Sequence, residues 1–140
     1  RTIKTLDSLL LPFKSETTDE DLSWSLCFPE VFKKDKSDGG FDIVVGNPPW
    51  GLPMDFYKSK IKNRGFITTI GQYDSFAVFL ELGLKLLKEG GILGFVTPDS
   101  IFKPEYKVLR KFLIEQTEIL EIIMIFNTKN LNKILKPIVN

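Results

Sequence analysis

The 140 residues combine 43% hydrophobic and 26% charged side chains with a net charge of +1, the balance of an ordinary folded domain with room for one modest core. Histidine is absent and cysteine occurs once, which excludes Ser-His-Asp and Cys-His catalysis and any His- or Cys-built metal site, so no metal centre is expected. The lone Cys27 and the lack of an opening signal sequence fit a reducing cytoplasm, and no apolar run approaches the roughly 20 residues of a membrane span.

Residues 1–23 mix charges and hydroxyls and read as an exposed arm, with at most a short helix around Ile3 to Leu11. Residues 24–32 are apolar and interrupted by Pro29, so they are expected to pack on the body rather than to form a central strand. A charged turn follows and closes at Gly39-Gly40. Phe41-Asp42-Ile43-Val44-Val45-Gly46 is short and β-branched, the pattern of a strand buried on both faces. It ends at Asn47-Pro48-Pro49-Trp50-Gly51, and residues 52–72 read as a long loop with at most one helical turn.

Phe76, Phe79, Leu80, Leu84 and Leu87 recur at three- and four-residue steps and predict a helix. Asp74 or Ser75 suits its start and Gly90-Gly91 its end. A second buried strand is predicted over 92–97, a helix over 104–116 with Pro104 in its first turn, and a third strand over 119–126. The tail from Asn127 is polar. Alternating strands and helices predict an α/β fold, a parallel sheet of about three strands with flanking helices and one open edge.

Without histidine, chemistry must rest on amides, carboxylates, aromatics or a bound cofactor. Asn47-Pro48-Pro49-Trp50 lies at a strand end, where open α/β sheets bind ligands. Taken as Asn-Pro-Pro alone, it is a stiff turn whose prolines exclude helix. With Trp50 it is also a receptor for a planar ring bearing an amino group. The Asn47 side-chain oxygen and the Pro48 carbonyl can both accept from an exocyclic amine, and Trp50 can stack on the ring. Asp99 and Ser100, at the next strand end, either line the same site or cap a helix. Lys58, Lys60, Lys62 and Arg64 form a basic loop, read as a solvated face or as phosphate contacts.

Residues 41–50 resemble the catalytic strand and the (Asn/Asp)-Pro-Pro-aromatic motif of amino-group methyltransferases, above all the adenine-N6 DNA methyltransferases. Phe28-Pro29-Glu30-Val31-Phe32 resembles the lead-in found in the methylase part of type IIG, Eco57I-like restriction–modification enzymes. Residues 73–87 are similar to the intervening helix of that group and residues 90–101 to its next strand. The resemblance implies a partial Rossmann-like, S-adenosylmethionine-dependent methyltransferase fold over residues 24–126. It implies catalytic roles for Asn47, Pro48, Pro49 and Trp50, with Trp50 stacking on an adenine flipped out of double-stranded DNA.

The family's glycine-rich donor-binding turn has no counterpart before Phe41. The chain is therefore expected to be the C-terminal half of a catalytic domain, flanked by the arm (1–23) and the tail (127–140), with the remainder of the parent restriction–modification protein as its partner. Alone it is expected to bind donor weakly and to be inactive. Two other readings stay open: methylation of another amino group, on protein glutamine or RNA guanine, and a non-catalytic DNA-binding or interaction module.

Overall fold

The computed structural model describes residues 23–32, 39–55, 57, 61, 64–69 and 74–125. The expected arm and tail thus lie almost wholly outside the described residues. The described residues open on a single helical turn, α1 (Trp24–Cys27). Ser23 caps it, its hydroxyl accepting the Leu26 N–H at 3.3 Å. As expected, this segment packs on the body. Phe28 and Phe32 meet Phe41 edge-on, with ring centroids 5.4 and 5.5 Å apart. Cys27 is buried.

Strand β1 (Phe41–Gly46) and strand β2 (Leu87–Phe95) pair in parallel, joined through helix α2 (Ser75–Leu86). A parallel pair needs such a crossover, because the chain must return to the starting edge before it can run alongside itself. Asp74 caps α2. The helix stops at Leu86, and the extended Leu87 enters β2 directly. Gly90-Gly91 was expected to end the helix but serves the strand instead. Phe41 pairs with Leu87 and Ile43 with Ile92, so residues 88–91 bulge out of register, with Gly90 at a φ of +72°. After β2, Asp99–Phe102 and Pro104–Tyr106 are single 3-10 turns, and α3 (Lys107–Gln116) follows. Thr117 ends α3, its hydroxyl donating back to the Leu113 carbonyl at 2.7 Å.

Helix α2 is the centre of the core. Phe76 and Val78 are fully buried, and Ala77, Leu80, Leu82 and Leu86 nearly so. One side of α2 packs with Met54, Ile61 and Phe66, the other with Leu109 of α3. Each fully buried side chain of this size contributes about 1.5–3 kcal/mol. Gly83 brings the helix close to the sheet: a β-carbon there would lie 2.8 Å from Leu93 Cδ1 and 3.1 Å from Phe95 Cζ.

Two expectations need correction. Among the described residues the strands are covered on one face only. Val44, Leu93 and Phe95 pack towards α2, whereas Ile43, Val45 and Ile92 are 60%, 74% and 51% exposed. The reason is that no described element lies over the second face. The third strand is also not found among the described residues: 119–125 have no regular structure and are exposed throughout. A β-branched run makes a strand only when a neighbour takes its ladder hydrogen bonds, and the sheet among the described residues is β1–β2 alone. The fold class itself stands, as a small parallel α/β sheet flanked by helices.

Candidate functional site

The last rung of the ladder joins the Gly46 carbonyl to the Val96 N–H at 3.1 Å. The tetrad begins with the next residue, at the carboxyl end of β1. Asn47 is exposed, Pro48 is buried, Pro49 is exposed and Trp50 is 51% exposed. Pro48 thus roots the turn, while the amide and the indole that could meet a ligand face outwards. With φ fixed at both prolines, the turn leaves the strand in a restricted set of directions.

The start of α2 holds the far side of the tetrad. Asp74 Oδ1 accepts the Phe76 N–H at 3.4 Å as the helix cap and also accepts the Gly51 N–H at 2.8 Å. Ser75 Oγ donates to the Pro49 carbonyl at 2.7 Å and accepts the Leu52 N–H at 3.1 Å. It lies 2.9 Å from Asp74 Oδ1 as well. Gly51 has a φ of +64°, a left-handed turn that only glycine adopts without cost. Asp74 is also felt by Tyr106. Burial raises the Tyr106 pKa above its ordinary value, the Asp74 carboxylate adds to that, and a hydrogen bond with Ser100 opposes it.

Of the basic loop, Lys58, Lys60 and Lys62 lie outside the described residues, and Arg64 is half-buried. Residues 66–69, which follow it, are fixed by Glu81 from the middle of α2. Glu81 is fully buried. Its carboxylate accepts the Ile67 N–H at 2.9 Å, and both the Thr68 N–H and the Thr68 hydroxyl at 2.8 Å. Lys85, one turn on, pairs with it at 2.9 Å and donates to the Gly65 carbonyl at 2.7 Å. A buried carboxylate is tolerated only when charge and lone pairs are matched in this way. The segment between tetrad and helix is therefore tied to α2 at both of its ends.

Neither anchor was read from the sequence. Asp74 was legible as a cap, yet its bond to Gly51 spans 23 residues. Glu81 did carry a signal, as a lone acid inside Phe79-Leu80-Glu81-Leu82.

A cleft of about 270 Å³ is lined by residues 44–49 and by Phe79, Leu82, Gly83 and Leu86 of α2, together with Trp24 and Phe95. Asp99 and Ser100 do not line it; both lie in the 3-10 turn beyond β2. Arg110 braces that turn, donating to the carbonyls of Ile101 and Lys103 at 2.6 and 2.5 Å. The cleft wall carries no charged side chain, and the indole N–H of Trp24 is buried without a partner. Such a wall suits a flat apolar group. As polar side-chain groups it offers only the Asn47 amide and the Trp24 indole N–H to the ammonium and carboxylate of S-adenosylmethionine, which need polar partners when they leave water. The described residues do not make a complete donor site.

Comparison with known proteins agrees with this partial architecture. Residues 2–131 match the model of the Eco57I restriction-modification methylase family. The chain is 36% identical over 86 residues to the type II restriction enzyme and methyltransferase RM.Eco57I of Escherichia coli, covering 54% of this chain and 8% of that protein. It is 35% identical over 92 residues to the type II methyltransferase M.BstVI of Geobacillus stearothermophilus, covering 63% and 16%. With the type II methyltransferase M.TthHB8I of Thermus thermophilus the identity is 31% over 86 residues, covering 54% and 20%. The chain thus spans at most a fifth of the length of these relatives. No helix among the described residues is long and apolar enough to cross a membrane. The chain belongs to the Eco57I restriction-modification methylase family.

Proposed function

We propose that this chain carries the base-holding half of a site-specific DNA methyltransferase of a type II restriction–modification system, acting on the N6 amino group of adenine. The observation that carries this reading is the exposed Asn47 and Trp50 on a stiff, anchored turn at the end of β1, in a chain of a restriction–modification methylase family. Residues 24–126 are then the C-terminal half of the catalytic domain, residues 1–23 an arm and 127–140 a tail. The working partners are duplex DNA and the remainder of the parent protein, in the cytoplasm.

The chemistry asked of these residues is modest. An adenine extruded from the duplex stacks on Trp50, a contact worth about 1–3 kcal/mol. The Asn47 side-chain oxygen and the Pro48 carbonyl accept the two hydrogens of its amino group. That arrangement turns the nitrogen lone pair out of the ring plane, towards an electrophile. No base is needed beforehand, because the nitrogen releases its proton after attack. The family implies S-adenosylmethionine as the methyl source. Holding the acceptor in a reactive pose is where this half of the domain lowers the barrier. Lys58, Lys60, Lys62 and Arg64 meet the phosphates beside the flipped base, which makes binding salt-dependent.

The test offers labelled S-adenosylmethionine and duplex DNA to the protein encoded by the complete reading frame and, separately, to this 140-residue chain. Label in adenine N6 from the former, lost in Asn47→Ala and absent from the latter, is the expected result. Label in added protein or RNA instead would move the activity to another amino group. No label in any acceptor would leave a binding module. In the same frame, reversing Lys60 and Lys62 to glutamate should flatten the dependence of DNA affinity on salt by roughly one unit of slope per lost phosphate contact.

A further inference from the structure

The three hydrogen bonds from the start of α2 fall on consecutive peptide groups around one side chain. Pro49 C=O belongs to the peptide unit before Trp50, and Gly51 N–H to the unit after it. Ser75 holds the first at 2.7 Å and Asp74 the second at 2.8 Å. Because peptide units are planar, a residue's only soft backbone freedoms are φ and ψ. Fixing the unit on each side removes both. The Leu52 N–H, held by Ser75 at 3.1 Å, extends the restraint through the left-handed Gly51. The indole itself is half exposed, so packing alone does not settle its direction. We infer that Asp74 and Ser75 are positioning residues that set the backbone torsions of Trp50 and so aim its ring at the target base. The aim towards a base rests on the reading above; the restraint on Trp50 does not.

Capping and aiming can be separated. Asp74→Ser keeps a good helix cap, but its side chain is one bond shorter and loses Gly51. Asp74→Asn keeps an acceptor for both. Ser75→Ala removes the donor to Pro49 and the acceptor for Leu52 together. The sequence holds two tryptophans, so Trp24→Phe leaves Trp50 as the sole indole in the 140-residue chain. Its time-resolved fluorescence anisotropy then reads local nanosecond motion of the ring. In that background Asp74→Ser and Ser75→Ala should raise the amplitude of that motion on the order of twofold, with an unchanged far-ultraviolet circular dichroism spectrum, and Asp74→Asn should not. In the complete protein, the same two variants should lower kcat/KM for DNA by about tenfold or more while leaving KM for the methyl donor in place.

Trp50 motion unchanged in both variants, or a kcat/KM for DNA unchanged while the ring is freed, overturns the inference. Asn47→Ala is the control for the reading beneath it. If that variant methylates DNA like the wild type, the assigned function fails whatever Trp50 does; if it is dead and the two variants behave as wild type, only the positioning role fails.

Discussion

The two faces of the β1–β2 sheet carry similar side chains and have opposite fates. On one face Val44, Leu93 and Phe95 lie under α2, and above them Phe76, Val78 and Leu82 are buried. On the other, Ile43, Val45 and Ile92 stand at least half exposed. Strand composition does not distinguish them. The side on which the crossover helix returns does, and that same helix carries Asp74, Ser75 and Glu81, the groups that fix the loops of the site. Core and candidate site are therefore one construction on one side of the sheet.

That contrast can be broken at several points. Phe76→Ala, in the covered layer, should cost about 3–5 kcal/mol in urea unfolding. A small cost would mean that α2 is not the centre of the core. Glu81→Gln puts amide hydrogens against donors it must otherwise accept, and about 1–3 kcal/mol should be lost. Amide exchange at Ile67 and Thr68 should quicken with it, the local sign that the loop has left α2. Val45→Thr, on the open face, should change stability by no more than about 0.5 kcal/mol. A loss as large as that of Glu81→Gln would show this face to be covered in solution.

The smallest effect belongs to Asp42, whose exposed carboxylate pairs with Lys88. A hydrogen bond from Lys88, with its charge, lowers the Asp42 pKa below the ordinary 3.8. The pair's contribution is thus present above pH 3.8 and fades as pH falls through the lowered folded-state value. Asp42→Asn should leave the chain's stability at pH 7 almost unchanged and remove this one acid-side loss from a pH titration of unfolding.

What could be read from the sequence was local. The β-branched run 41–46, the cap at Asp74, the helix over the stripe from Phe76 to Leu84 and the proline at the start of the 104–116 segment depend on neighbours within a turn or two, and all are found; Leu87, the last of the stripe, opens β2 instead. The tetrad is likewise contiguous, so its place at a strand end followed from β1 alone. What failed needed a distant partner. Residues 119–125 have the composition of a strand and no strand beside them among the described residues. Ile43 and Val45 look like core but have no described element above them. The bonds of Asp74, Ser75 and Glu81 to loops 13 to 26 residues away exist only once the chain has folded back.

Gly83 gives this arrangement a mechanical side. It lies eight positions beyond Ser75, roughly 12 Å along a helix axis, at the point where α2 bears on Leu93 and Phe95. The helix behaves there as a lever with its fulcrum at a residue that has no side chain. Any bulk inserted at the fulcrum, as in Gly83→Val, must be absorbed by those two side chains or by tilt of the lever. Its free end is the pair of residues that grips the loop around Trp50. Tolerance in the aim of that indole is thus set by clearance about 12 Å away, at the contact of a helix with its sheet.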